Sequence, residues 1–295
     1  MGAHSATVTV LGDPQYEVTN QKPLFRSQVD WILRNPPDLV LCVGDCTDDD
    51  KAASWTFLSE QLGRLTTAGI KWVVATGNHD YESSTGTVGL HPLRTTNMND
   101  YLAPPPWAVL RQEGHLESSY SLVDMAGQTF LVLSLEWSPR TATVAWANSV
   151  LAAHPGLPAI LATHAYMYVD GTRFDYATYG DLQGGSPHNA NYQTSPEQGI
   201  YDGQELWDAL VLPNPNILLV FSGHVSTASV RNDARPDGTR CVQVLSDYQS
   251  DPWYSGGWLS QYDVDMSNRV VTARSCSPYY RRSRTAEANS FREHF

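Results

Sequence analysis

The chain has 295 residues, enough for one large buried core, and its composition carries neither the repeats nor the bias of a fibrous or disordered protein. Lys and Arg number 19 against 31 Asp and Glu, a formal charge of −12, which disfavours a nucleic-acid polymer or an anionic membrane surface as partner. The longest apolar runs are strand-sized, so no transmembrane helix is expected, and residues 1–295 read as a single domain of open oligomeric state. The chain runs from Met1 almost directly into a strand. That fits a cytosolic start or a mature chain whose leader is removed, and the second, with a secreted or periplasmic setting, is the preferred expectation. Four cysteines do not decide the compartment: Cys241 and Cys276, on strands expected to be neighbours, could pair, while Cys42 and Cys46 flank a candidate site.

Residues 6–12 alternate and are β-branched, which predicts a strand ending at Gly12-Asp13-Pro14-Gln15, where Pro14 forbids continuation. A helical pattern over 24–33 stops at Asn35-Pro36-Pro37, and an apolar strand over 39–43 ends at Gly44-Asp45. A second helix over about 52–67 leads into Val73-Val74-Ala75-Thr76, which ends at Gly77-Asn78-His79-Asp80. Asp13, Asp45 and Asn78 thus follow one another at intervals near the roughly 30 residues of one βαβ unit. Equal spacing places all three at the carboxyl edge of one parallel sheet, although Asn78 read alone could be a helix cap in a turn.

Periodicity vanishes over 81–114, a surface excursion marked by Pro104-Pro105-Pro106. Strands are expected over 118–123 and 129–135, a helix over 140–153, and a strand over 159–163 that ends on His164. Residues 170–202, rich in Gly, Tyr, Asn and Pro, read as a lid or specificity loop, so that lid-like insertions fall at about 81–117 and 170–202. After a short helix near 204–210, a strand over 216–222 ends at Gly223-His224-Val225-Ser226. The segments 241–245, 257–264 and 269–275 read as consecutive antiparallel strands, and the tail from about residue 279 as a surface arm.

Five strand ends therefore carry Asp13 and Gln15, Asp45, Asn78 and His79, His164, and His224. Oxygen and imidazole donors without thiolate suit Mn²⁺, Fe or Zn²⁺. Two such ions sharing one carboxylate would stabilise both oxygens of an in-line displacement at phosphorus. In this order the motifs resemble those of the calcineurin-like metallophosphoesterases, D-x-H, G-D-x-x, G-N-H-[DE], a lone H and G-H-x-H, from Asp13 to Ser226. The Asp13-Pro14-Gln15 and His224-Val225-Ser226 forms, with Leu133-Ser134-Leu135-Glu136-Trp137 and Thr163-His164-Ala165-Tyr166, are similar to a branch with Gln in the first motif. That branch includes a serine/threonine phosphatase-like group and secreted bacterial proteins of unassigned substrate. The resemblance implies an α/β fold, a four-layer α/β/β/α sandwich of two mixed sheets flanked by helices.

The resemblance also implies roles. Asp45 would bridge one or two divalent ions, with Asn78, His164 and His224 completing one site. His79 would be the acid facing the leaving oxygen, with Asp80 orienting its ring, and a bridging hydroxide would be the nucleophile. The family's two remaining imidazoles are replaced by Gln15 and Ser226. The first site thus becomes oxygen-only, suited to Mn²⁺, Mg²⁺ or Ca²⁺, while the second favours Fe, Zn²⁺ or Mn²⁺. Asp48 stands where purple acid phosphatases place a Tyr ligand, and it reads either as a ligand or as a cap of the following helix. Cys46 is a candidate soft ligand or an inert buried thiol. Tyr166, Arg140 and His188 are candidate substrate contacts, and Tyr168, Trp253, Tyr254 and Trp258 could wall a ring-bearing substrate. The expected function is hydrolysis of a phosphomonoester or small phosphodiester, with a small phosphorylated substrate as partner. The alternative is a non-hydrolytic metal- or nucleotide-binding protein on a degenerate scaffold.

Overall fold

Two sheets of seven strands each carry the chain in the computed structural model, which describes residues 5–48, 50–81, 95–180, 183, 199–250 and 256–295. In the first sheet β1 (Ala6–Leu11), β2 (Leu39–Val43) and β3 (Lys71–Ala75) are parallel neighbours. On its other edge β1 pairs antiparallel with β11 (Leu259–Asp265), and β11 with β12 (Val270–Ser277). The second sheet has the order β4 (Ala108–Gln112), β5 (His115–Met125), β6 (Gln128–Ser134), β7 (Ala159–Ala162), β8 (Ile217–Ser222), β10 (Arg240–Asp247), β9 (Thr227–Ala234). Within it β6, β7, β8 and β10 run parallel.

Strand alternation sorts the apolar side chains into three layers. Val8 and Val10 of β1 and Leu39, Leu41 and Val43 of β2 point between the sheets, where they meet Phe130, Val132, Ile160, Ala162, Leu219, Phe221 and Val244. Val40, Cys42 and Val74 face the other way, under the helices Lys22–Arg34 and Ala52–Thr67, packed by Phe25, Val29, Ile32, Trp55, Leu58 and Leu62. Leu131, Leu133, Leu161 and Val220 are covered by the helix Thr141–Ala153 and by Leu206, Trp207 and Leu210. Each fully buried aliphatic or Phe side chain contributes about 1.5–3 kcal/mol, so the layered burial fixes the sheet edges to which the ligand-bearing turns are attached. The architecture is the α/β/β/α sandwich of two mixed sheets. No helix among the described residues is long and apolar enough to cross a membrane.

Several elements differ from the sequence expectation. The segments 241–245 and 257–264 are not neighbours, because β10 joins the second sheet through the hairpin β9–β10 and β11 joins the first. Cys241 and Cys276 consequently lie on different sheets, and all four cysteines are free. The tail expected as a surface arm adds two short strands, β13 (Arg282–Arg284) and β14 (Arg292–His294), to β12, and Phe291 and Phe295 are buried in the inter-sheet core. Much of both lid-like insertions, with His188, Trp253 and Tyr254, lies outside the described residues.

Candidate metal centre

Parallel strands deliver their carboxyl ends to one edge, and both sheets contribute there. β1, β2 and β3 lead into Asp13, Asp45 and Asn78, and β7 and β8 into His164 and His224. The turns are tight: Asp13, Asp45 and His224 all have positive φ, at 44°, 47° and 82°. Non-Gly residues persist there only where their surroundings over-determine them. Gly77 and Gly223 show how close the approach is. A Cβ on Gly77 would stand 2.1 Å from Asp45 Oδ1, and one on Gly223 would stand 1.9 Å from Asp13 Oδ1.

Ligand atoms from Asp45, His164 and His224 lie within 4.8 Å of one another. His164 is fully buried, and its Nδ1 donates to the Val43 carbonyl at 2.8 Å. That proton placement leaves the lone pair on Nε2, which makes no hydrogen bond among the described residues and stands 3.3 Å from Asp45 Oδ1. A buried imidazole nitrogen aimed at a buried carboxylate is what a divalent cation requires, so the residues fit the ion that their chemistry implies. His224 Nδ1 lies 3.0 Å from Asn78 Oδ1, and its backbone N–H donates to Asp13 Oδ2 at 2.7 Å. Trp137, fully buried, walls the two rings with centroids 5.2 Å from His164 and 4.9 Å from His224.

Burial opposes ionisation of Asp45, yet the imidazoles of His164 and His79 outweigh it and hold the carboxyl well below the usual range. For His164, burial lowers the ring's affinity for a proton and Asp45 more than restores it. Asp13 moves the opposite way, pushed far up by burial and by the neighbouring carboxylates of Asp247 and Asp45. Asp247 itself is pushed up to about 7, chiefly by burial.

His79 sits at the rim with 27 % of its side chain exposed, and its Nδ1 lies 3.3 Å from Asp48 Oδ1 and 3.2 Å from the Asp48 carbonyl. Burial pulls its proton affinity down, but Asp45 and Asp48 outweigh this and raise it above the ordinary value. The ring is therefore oriented by Asp48, and the expected partner Asp80 has other work. Asp80 is fully buried and accepts from the backbone N–H groups of Cys46, Thr47 and Gly77 at 3.1, 2.8 and 2.9 Å. It ties the Gly44-Asp45 turn to the Gly77-Asn78 turn. Asp48 does not cap the helix Ala52–Thr67 either, whose N-cap is Lys51.

Other candidates fall elsewhere. Tyr166 is fully buried and donates to Gln243 Oε1 at 2.8 Å, and burial pushes its hydroxyl far up, so it is a core residue. Arg140 is bound in a fork to Glu136 at 3.0 and 2.5 Å, and it lines a separate cavity with Arg111, His115 and Glu117. Cys46 packs against the Ala75 carbonyl, and its thiol is pushed far up by Cys42 and by burial, which makes it inert. Trp258 is buried and faces Tyr248 and Arg284. Tyr168 meets Phe174 edge to face, and the Phe174 ring lies 5.7 Å from that of His224.

In the other half of the crevice, Gln15 is 1 % exposed and donates through Nε2 to Gln249 Oε1. Ser226 Oγ accepts from the Ser250 N–H at 2.8 Å. Sequence reading missed Asp247, at the carboxyl end of β10 and fully buried against Asp13. It also missed the orienting role of Asp48 and the wall formed by Trp137. A faint signal existed in the strand Cys241–Leu245, which is followed by Asp247 just as the other strands are followed by ligands.

The sandwich and the ligand-bearing turns are those of a metallophosphoesterase. The family model for calcineurin-like phosphoesterases matches residues 6–227, and the chain belongs to that family. Over 287 residues it is 28 % identical to the uncharacterized protein YvnB of Bacillus subtilis (strain 168). The alignment covers 92 % of this chain and 20 % of that relative, so the chain spans a fifth of the relative's length. Among solved structures it is similar to the purple acid phosphatase PPD1 of yellow lupin, with TM-score 0.54, 12 % identity, and 98 % and 54 % of the two chains covered. It is also similar to GAP50, the anchor in the inner membrane complex of Plasmodium, with TM-score 0.52, 11 % identity, and 99 % and 90 % covered.

Proposed function

We propose that this protein is a metal-dependent phosphoesterase that hydrolyses a phosphomonoester or a small phosphodiester. The observation that carries the reading is the convergence of Asp45, His164 and His224 within 4.8 Å beside a rim histidine whose ring is already held. These residues, with Asn78, Asp13 and Gln15, would hold divalent ions, which would supply Lewis acidity toward the phosphoryl oxygens and an activated water. Asp45, which neighbours both His164 and Asp13, would be the carboxylate that both halves share. His79, with Nδ1 committed to Asp48, presents Nε2 to the leaving oxygen and gives it a proton. Trp137 and Phe174 exclude water from the imidazole side.

The substrate is small. A pocket beside Ala165 and Ser138 is lined by Phe174, Tyr176, Asp175 and Asp202. No Lys or Arg lines it among the described residues, so it suits a leaving group without a second phosphate. The test is hydrolysis of p-nitrophenyl phosphate and bis-p-nitrophenyl phosphate by Mn²⁺-loaded protein. We expect turnover of at least one ester, and a fall in kcat of roughly 10²–10⁴-fold in His79→Ala with metal content unchanged. No turnover of either by protein holding two ions would overturn the proposal.

One observation favours a second reading, a non-hydrolytic metal- or nucleotide-binding protein: Gln15 and Ser226 stand where the family's motifs carry imidazoles. On that reading the wild type is silent, and Gln15→His combined with Ser226→His gains activity.

A further inference from the structure

The sandwich brings β10 parallel to β8, with Leu245 opposite Ser222, so the residues after β10 emerge beside Gly223-His224 at the ligand-bearing edge. Two oxygens there are buried and make no hydrogen bond among the described residues: Asp13 Oδ1 and Gln15 Oε1, on residues 0 % and 1 % exposed. Asp247, 0 % exposed, adjoins Asp13, and among the described residues no Lys or Arg pairs with Asp13, Asp45 or Asp247. Carboxylates at this burial are strongly disfavoured unless a cation joins them or they take up a proton.

The surroundings hold these oxygens in place. Asp247 Oδ1 accepts from the Gln249 backbone N–H at 2.7 Å, and its Oδ2 from Gln249 Nε2 at 3.1 Å. Gln249 Oε1 in turn takes the Gln15 amide N–H, which fixes that amide and leaves Gln15 Oε1 an acceptor with no donor among the described residues. The turn carrying Asp247 and Gln249 is tethered by the Ser250 N–H to Ser226 Oγ at 2.8 Å. Both residues lie beyond the stretch 6–227 that the family model matches.

We propose that Asp247 is a metal ligand, forming with Asp13, Gln15 and the shared Asp45 an oxygen-only site for a hard divalent cation, and that Gln249 is its positioning residue. The proposal rests on the metal-centre reading above. Ser226 thus acts as the tether of the segment that brings the replacement carboxylate, and not as a ligand. A set of carboxylates and one amide carbonyl favours Mn²⁺, Mg²⁺ or Ca²⁺ over Zn²⁺.

The test titrates metal-stripped full-length protein with Mn²⁺, following free and exchange-coupled Mn²⁺ by electron paramagnetic resonance. The wild type is expected to bind two ions per chain, the second more weakly, and to show a coupled signal through Asp45. Asp247→Asn should weaken the second ion by about 100-fold and abolish the coupling while one ion stays bound, and Gln249→Ala should weaken it by about 10-fold. Wild-type affinity for both ions in Asp247→Asn would overturn the proposal and make Asp13 and Asp247 a carboxyl pair sharing a proton. A wild type that binds a single ion would overturn it while leaving the nitrogen-bearing site standing, and a wild type that binds none would overturn both. Should Asp247→Asn fail to fold, Gln249→Ala and Ser226→Ala decide, since an unchanged second site in both would refute the arrangement.

Discussion

The nitrogen-bearing half of the crevice, with Asn78, His164 and His224, is aimed largely by backbone and its own members. The half around Asp13, Gln15 and Asp247 is aimed by other side chains. His164 is pinned by the Val43 carbonyl, and His224 by Asn78. Gln15 instead depends on Gln249, Asp247 on Gln249 again, and the whole turn on Ser226. Backbone carbonyls inside a sheet edge cannot move without unfolding it, whereas a chain of amides on a turn can re-pair. The first half should therefore tolerate change around it, and the second should fail by degrees when any link is cut.

Variants at the shared carboxylate give the largest effect. Asp45→Asn should remove phosphoesterase activity by roughly 10³-fold or more and release both ions, measured by kinetics and metal analysis of one preparation; retention of two ions would show that Asp45 joins neither half. Next, Gly223→Ala and Gly77→Ala separate the halves by sterics. The first drives a methyl into Asp13 and should weaken only the oxygen-only half, while the second drives one into Asp45 and should weaken both. Isothermal titration with Mn²⁺ and Zn²⁺ reads the difference, and equal losses in the two variants would break the comparison. A smaller effect is expected from Asp48→Asn, which keeps an acceptor near His79 but loses the charge. A drop in kcat of about 10-fold with KM and metal content unchanged is predicted, far less than for His79→Ala.

The smallest effect lies outside both halves and serves as a control. Asp202 caps the helix Gly203–Leu206, accepting from Glu205 N–H at 2.8 Å, and burial pushes it up to about 6 from 3.8. Between these values the folded state binds more protons than the unfolded one, so stability falls as pH rises from about 4 to about 6. Thermal melts of Asp202→Asn should show a flatter slope over that window, with metal affinities untouched. An unchanged slope would show that Asp202 does not titrate there.

The first three strands and their turns were legible because each is a short apolar run that stops at Gly, with equal spacing that only a parallel sheet explains. The helices Lys22–Arg34 and Ala52–Thr67 followed from their periodicity and from Pro36-Pro37. Asp247 was illegible for a topological reason. Read as an antiparallel neighbour of the next strand, β10 would end at the far edge, and nothing local to Cys241–Leu245 says that it pairs with β8. The hairpin through β9, whose residues are mostly half-buried, carries little pattern. Whether Asp48 or Asp80 meets the His79 ring depends on how two turns face each other, which spacing does not encode. Tyr166 and Trp137 raise the same difficulty for aromatics, since burial in the core and burial beside a site look alike in sequence.

The central claim, one crevice with two chemically unequal halves, is tested most directly by a crystal grown with both Mn²⁺ and Zn²⁺ and measured at both absorption edges. The account predicts two anomalous peaks that share Asp45, the Zn²⁺ peak against Asn78, His164 and His224 and the Mn²⁺ peak against Asp13, Gln15 and Asp247. A single peak, or two peaks with the metals in the opposite halves, would contradict it.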